Sequence, residues 1–393
     1  MGTLSNIYNN VSFALSLHTE AMARLQEQAA TGSRINRASD DPSAAYRVLG
    51  LNSQKSLLEN YMDSLLEVVS LLDISSTAID SMKHALSKVT VRLTGISGSS
   101  VATGIAGEVN NWLESIVSSA NTNHMNQYLF GGSNTGSAPY AVTRTDGKIT
   151  SVTYQGSLGD RDIEVAPGVE ASAFYVGDNI FRSDNRSTPI FPGDTGAAAG
   201  TGTSTVTGDV WLTVSYNGTS GHYELYIDDE DNPVDVDPAG DITNLAVTNL
   251  AGQVLYVDAT DIDSTGLDWV RVPGTYDIFN TLITIRDRLE TEGGLTSVEL
   301  EELRNNALSS LAELDNLLLQ SSVSMGSKIG FLDDLKDSLN NIKYDTEDEV
   351  TRLQQADIVQ IAIDLSRREV LYQMSLAVAA KLMSLSLLDY III

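Results

Sequence analysis

The chain has 393 residues, enough for two or three domains with real hydrophobic cores. Its 24 basic against 52 acidic side chains give a net charge of −28, which argues against nucleic acid or an anionic membrane as a partner. With no cysteine there are no disulfides, thiol nucleophiles, iron–sulfur clusters or thiolate zinc sites, and the four histidines (His18, His84, His124, His222) are too far apart in sequence to pair on one helix face.

The first ten residues carry neither positive charge nor an apolar block, so no secretory signal is expected. Leu4, Tyr8, Val11, Leu15, His18, Met22, Leu25 and Ala29 then alternate steps of four and three, a heptad seam of the coiled-coil kind. His18 reads as a core or rim residue of that seam, because no second ligand accompanies it. Gly32 suits a left-handed helix C-terminus, and Asp41 with Pro42 reads as N-cap and first residue of the next helix. That helix continues through Leu58, Met62, Leu65, Val69 and Leu72, then Ile79, Met82, Leu86, Val89 and Leu93. A third, shorter helix turns Val109, Trp112 and Ile116 inward and ends before Gly131-Gly132.

Of eight prolines, Pro42 alone precedes residue 139 and none follows Pro273, so long helices are open to the two ends and closed to the middle. Between 134 and 276 short alternating runs predominate. Ile149–Tyr154 reads as a strand, and Leu212–Tyr216 with Tyr223–Ile227 as a hairpin whose loop is Asn217–Gly221. Gly193–Gly208, rich in Gly, Ala and Thr, reads as a flexible insertion or surface loop. From Ser187 to Val270 there is no lysine or arginine. The run Asp228–Asp231 and the trio Asp258, Asp261, Asp263 are calcium candidates, but Asp235–Gly240 lacks the EF-hand pattern, and a solvated acidic surface explains them as well. Walker and Gly-x-Ser-x-Gly motifs are missing, no carboxylate pair sits in a glycosidase-like setting, and neither an enzyme nor a cofactor is expected.

Ile278, Leu282, Ile285 and Leu289 form the next helical stripe. Thr296 with Glu299 is a capping box ahead of Leu300, Leu303, Ala307, Leu314 and Leu318. Val370–Ile393 is long enough to span a bilayer, yet Lys381 near its centre makes a buried protein helix the better reading. The expected fold is α+β. Both chain ends form a long antiparallel coiled-coil bundle, with a β-rich middle domain inserted between them. Its parts are 1–41, 42–133, 134–276 (183–272 its variable part), 277–343 and 344–393.

The segment Leu25–Pro42, with Gln26-Glu27-Gln28 before Thr31-Gly32 and Arg37-Ala38-Ser39-Asp40-Asp41-Pro42 after it, resembles the N-terminal signature of the flagellin superfamily, in the form of its hook-associated members. Tyr128–Thr135, Tyr154-Gln-Gly with Gly177–Phe181, and Ser375–Tyr390 are similar to further motifs of that family. The resemblance implies a structural, self-assembling subunit of the bacterial flagellum, exported without a cleaved signal, at the junction between hook and filament and templating flagellin polymerisation. The filament subunit itself is the alternative, and an acidic calcium- or glycan-binding adhesion module a weaker one. The implied partners are further copies of the chain, a neighbouring hook-associated protein, flagellin, and a cytosolic export chaperone on the C-terminal helix. The implied subunit interface uses Leu4, Tyr8, Val11, Leu15, Met22, Leu25, Leu371, Met374, Val378, Leu382, Leu385 and Leu388. Arg34, Arg37, Asp40 and Asp41 lie in the interhelical loop, open either to a neighbouring subunit or to local capping and solvent.

Overall fold

The structure, a computed structural model, describes residues 2–96, 99–227, 232–290 and 296–391. Seven helices are described: α1 (Gly2–Thr31), α2 (Pro42–Thr94), α3 (Ser99–Ala120), α4 (Gly177–Phe181), α5 (Ile278–Leu289), α6 (Ser297–Gln354) and α7 (Ile358–Ile391). All the described strands lie between α3 and α5, so the expected order of helices, β insertion and helices holds. The chain divides into two compact units, residues 1–63 with 335–393, and residues 64–334.

In the first unit α1 packs on α7. Gly32 closes α1 at φ +69°, its amide donating to Gln28 O at 2.9 Å, as a left-handed C-terminal residue should. The chain then meets the break before α7, where Arg34 N donates to Gln354 O and Ala356 N to Gly32 O. Because α1 ends where α7 begins and the two pack together, they run antiparallel. Opposed ion pairs Arg47–Glu349, Lys55–Glu347 and Lys343–Glu59 set α2 antiparallel to α6 in the same way. The chain from 344 to 354 continues α6. It breaks only at 355–357, where the Asp357 carboxylate accepts from Gln360 N and caps α7.

The second unit holds the larger core. The stripe read on α2 is buried from Leu65 onward, with Val68 rather than Val69 innermost, while Leu113 takes the inward place on α3 and Trp112 stays half-buried. Those two shifts are one-residue drifts of a 3.6 period read at whole-number spacing. Helix α5 packs on α3, and the Thr296–Glu299 capping box forms in both directions.

After the short pair β1 (Asn123–His124) and β2 (Gln127–Tyr128) come two hairpins, β3 (Tyr140–Thr145) with β4 (Lys148–Tyr154), and β5 (Arg161–Ala166) with β6 (Val169–Phe174). The first turns on Asp146-Gly147, both at positive φ, as a two-residue hairpin loop demands. The Phe130 and Gly177–Phe181 motifs, distant in sequence, converge here. Phe130 stacks edge-on to Phe181 at 5.0 Å, and Tyr140 packs against Phe279 at 4.7 Å. Asp277 caps α5 through Phe279 N and Asn280 N. Burial pushes its carboxyl up to about 6, helped by Asp178 and opposed by the two amides and Arg182. Its unfolded value is near 3.9, so the native state takes up this proton first, and the group's contribution to stability rises as pH falls from above 6 toward 4. Asp277→Asn keeps an oxygen for the cap. We expect it to stabilise the protein at pH 8 by about 1–3 kcal/mol and to lose that advantage by pH 4, read as urea midpoints at the two pH values.

The remaining strands, β7 (Ala198–Ala199), β8 (Gly208–Asn217), β9 (His222–Tyr226), β10 (Val234–Val236), β11 (Leu245–Thr248), β12 (Val254–Asp258) and β13 (Gly266–Val272), form two sheets ordered β10-β9-β8-β13 and β11-β12-β7. Leu212, Val214, Leu225, Val270 and Val272 from one meet Val247, Leu255 and Val257 from the other in a shared core. The expected hairpin is there, with Asn217 paired to His222, so its loop is one residue shorter than the sequence suggested.

Gly193–Gly208 is a correction. This stretch is not a loose loop: Ala198–Ala199 pairs with β12, and Thr195, Ser204 and Val206 are buried. Its glycines serve close approach rather than freedom. A Cβ at Gly196, which sits at φ +85°, would fall 1.9 Å from Asp261 O, and one at Gly202 would enter the Tyr256 ring. Gly196→Ala should therefore cost about 2 kcal/mol or more, measured by urea unfolding, whereas a surface loop would tolerate it.

Candidate assembly surface

The residues expected to meet other subunits lie on α1, α7 and the loop between α1 and α2. Val11, Leu15, Met22 and Leu25 are half-buried on α1, which packs against α7. His18 shares that seam, its Nδ1 buried without a protein partner. On α7 the side chains stay open, with Leu371 39%, Met374 61% and Val378 50% exposed. The side chains of Leu4, Tyr8, Leu382, Leu385 and Leu388 lie outside the described residues.

Sequence reading missed part of this surface. Phe13 and Leu17 project from α1, and Val359, Ile363 and Val370 continue the α7 stripe with Met374 and Val378 at steps of four, seven, four and four. A heptad search keeps one seam and discards the positions beside it, although the apolar residues themselves were visible. Isolated exposed apolar side chains are ordinary; here five lie in one stripe on a helix that also packs against α1.

The loop residues are tied locally. Arg34 Nε donates to Leu353 O at 3.0 Å and its Nη1 meets Asp41 Oδ2 at 3.0 Å, so one guanidinium clamps the loop to the end of α6. The Asp41 carboxylate also accepts from Ala44 N at 3.0 Å, and that amide with Arg34 holds it below the usual carboxylate range. Asp40 Oδ2 accepts from Asn36 N and Arg37 N, and Arg37 reaches Glu27 at 3.3 Å. All four charges thus shape the loop in a single chain, with Arg37 and Arg34 still partly open to solvent.

In the acidic middle, Asp258 accepts from Thr260, Asp241 from Thr243, and Asp235 pairs with His222 at 3.0 Å. These contacts stiffen turns. The run Asp228–Asp231 lies outside the described residues. Among the described residues no cluster of three or more Asp, Glu or His is arranged to hold a metal ion, and no helix is long and apolar enough to cross a membrane.

Residues 5–135, from α1 to just past β2, match the bacterial flagellin N-terminal helical region. Among solved structures, the chain is similar to the flagellar junction protein FlgL from Legionella pneumophila, with 17% identity over 79% of this chain and 100% of that one, at a TM-score of 0.51. It is also similar to a flagellar hook-associated protein, described as putative, from Vibrio parahaemolyticus, with 14% identity over 80% and 100% of the two chains and a TM-score of 0.50. A search of curated protein sequences gives no match. The chain thus carries a region matching the flagellin N-terminal helical region, within an α+β fold similar to that of the Legionella pneumophila protein.

Proposed function

We propose that this protein is a structural subunit of the bacterial flagellum, forming the junction between hook and filament and giving flagellin a template on which to polymerise. One observation carries the reading: a flagellin-type N-terminal helical region stands in a chain whose fold spans the whole of a flagellar junction protein. The physical surface supports it. Two antiparallel terminal helices leave an apolar stripe outward, which a self-assembling subunit buries against further copies of itself. In this reading Leu4, Tyr8, Val11, Leu15, Met22 and Leu25 of α1, with Leu371, Met374, Val378, Leu382, Leu385 and Leu388 of α7, pack in the assembled form. Arg34, Arg37, Asp40 and Asp41 present a preformed charged loop to a neighbour. A cytosolic chaperone covers α7 before export, and the protein works outside the cell beside another hook-associated protein and flagellin.

The filament subunit is the second reading, since the matched N-terminal region is that of flagellin. Deleting the gene separates the two. Bare hooks by electron microscopy, with flagellin lost into the medium, are expected for a junction subunit. Bare hooks with no exported flagellin indicate the filament subunit, and intact filaments overturn both.

A further inference from the structure

The two sheets built from β7 to β13 share one core and so form a body of their own within the second unit. Pairing of β8 with β13 sets Asp209, Trp211, Trp269 and Arg271 on the face turned away from that core. Trp211 and Trp269 are buried there and meet edge-on at 4.5 Å, with Arg288 of α5 over the Trp211 ring at 4.1 Å. Apolar burial of this kind is non-directional and tolerates small changes of angle.

Helix α6 adds direction. Ser310 and Glu313, three residues apart and so on one side of the helix, reach this body at two points. Ser310 Oγ donates to Asp209 Oδ2 at 2.6 Å, and Gly274 N donates to Glu313 Oε1 at 2.7 Å. The Asp209 side chain is 2% exposed, and its other oxygen accepts from Tyr276 Oη at 2.7 Å, with Arg271 Nε 3.9 Å away.

Gly274 belongs to a ribbon. Ser183 N donates to Tyr276 O, Asn185 N to Gly274 O and Ser187 N to Pro273 O, at 2.8, 2.8 and 2.9 Å. Gly274 stands at φ +77°, and a Cβ there would fall 1.8 Å from Asn185 O, so the two limbs run in close contact. The chain thus enters and leaves the two sheets side by side, which gives the body one pivot.

We propose that Ser310 and Glu313 are a latch: they hold the two-sheet body in one orientation on α6, and without them it turns on the ribbon while staying folded. One contact would leave a pivot, whereas two fix the angle. A tilt too small to admit water parts Asp209 from Ser310 and leaves a buried carboxylate one donor short, which is costly. Ser310 loses little by the same tilt, because its hydroxyl also lies 3.0 Å from Asn306 O, an intrahelical acceptor. The penalty for misalignment therefore falls on the sheet side and depends on angle.

Distances between two spin labels on the full-length chain test this. The chain has no cysteine, so Thr219→Cys on the β8–β9 loop and Ser324→Cys on α6, both exposed, place the labels without background. With Ser310 and Glu313 present the distance should be single and narrow. Ser310→Ala with Glu313→Ala removes two hydrogen bonds to carboxylates. The ratio of seated to tilted molecules should then fall about 100-fold or more, and the distribution should broaden or split. Hydrogen-exchange protection in β11 and β12, which belong to the other sheet, should stay at the parent level. Ser310→Ala alone, the milder variant, should give part of the broadening. A broad distance in the parent chain, an unchanged narrow distance in both variants, or broadening only together with lost protection in β11 and β12 would each overturn the proposal.

Discussion

Met374→Asp should leave the isolated chain folded and abolish its assembly. Met374 is 61% exposed on α7, so the new carboxylate stays in water in the monomer and the melting curve should move by no more than an ordinary surface substitution allows. In an assembly that packs the α7 stripe, the same carboxylate is buried without a partner, at a cost of about 3–5 kcal/mol per subunit. That corresponds to a loss of about 100-fold or more at each contact. Met374→Leu, which keeps volume and apolarity, should assemble normally. The measurement is incorporation into flagella in cells that lack the natural protein, with circular dichroism on the purified chain. Normal incorporation of the aspartate variant would remove α7 from the proposed interface.

Arg286→Ala should produce the largest loss of stability in the second unit, about 3–5 kcal/mol. The side chain is 1% exposed, and its Nη1 donates both to Asn110 Oδ1 at 2.9 Å and to Ile149 O, tying α5 to α3 and β4. Asp287, the neighbouring counter-charge, is half in solvent and needs no compensation. Alanine leaves a cavity and strands the Ile149 carbonyl, while Asn110 Oδ1 keeps its bond from Ile149 N; Arg286→Met fills the space and strands only that carbonyl, for about 1–3 kcal/mol. All three tryptophans (Trp112, Trp211, Trp269) lie between residues 64 and 334, so urea unfolding followed by tryptophan fluorescence reports on this unit. An alanine variant within 1 kcal/mol of the parent would mean that the buried guanidinium costs about as much as it returns.

Arg286 also shows where reading the chain alone stops. It lies at the edge of the stripe Ile278, Leu282, Ile285 and Leu289, and its charge, not its position, is what argues for solvent. It is buried because the hairpin of β3 and β4 brings the Ile149 carbonyl over α5, a contact 137 residues away in sequence. Part of the polar face of α6 escaped notice for the same reason: Ser310 and Glu313 look like a wet helix face until Asp209 of β8 and the Gly274 amide meet them. The break at 355–357 contains neither glycine nor proline. It follows from the Asp357 cap and from the backbone bonds that Gly32 and Arg34 make there.

What the amino-acid order determined by itself is what short range can encode. Heptads, the Gly32 and Asp41-Pro42 helix boundary, the Thr296–Glu299 box and the alternation in β4, β8 and β9 each depend on residues a few positions apart, and each fixes its element before any partner arrives. The signature Leu25–Pro42 is local in the same sense. Tertiary structure decided the rest: which of two apolar stripes on α7 stays outside, why glycines at 196 and 202 are packed rather than loose, and which charges are buried. Those outcomes depend on the backbone or side chain that arrives from a hundred residues away, and burial acquires its cost or gain only when that partner is in place.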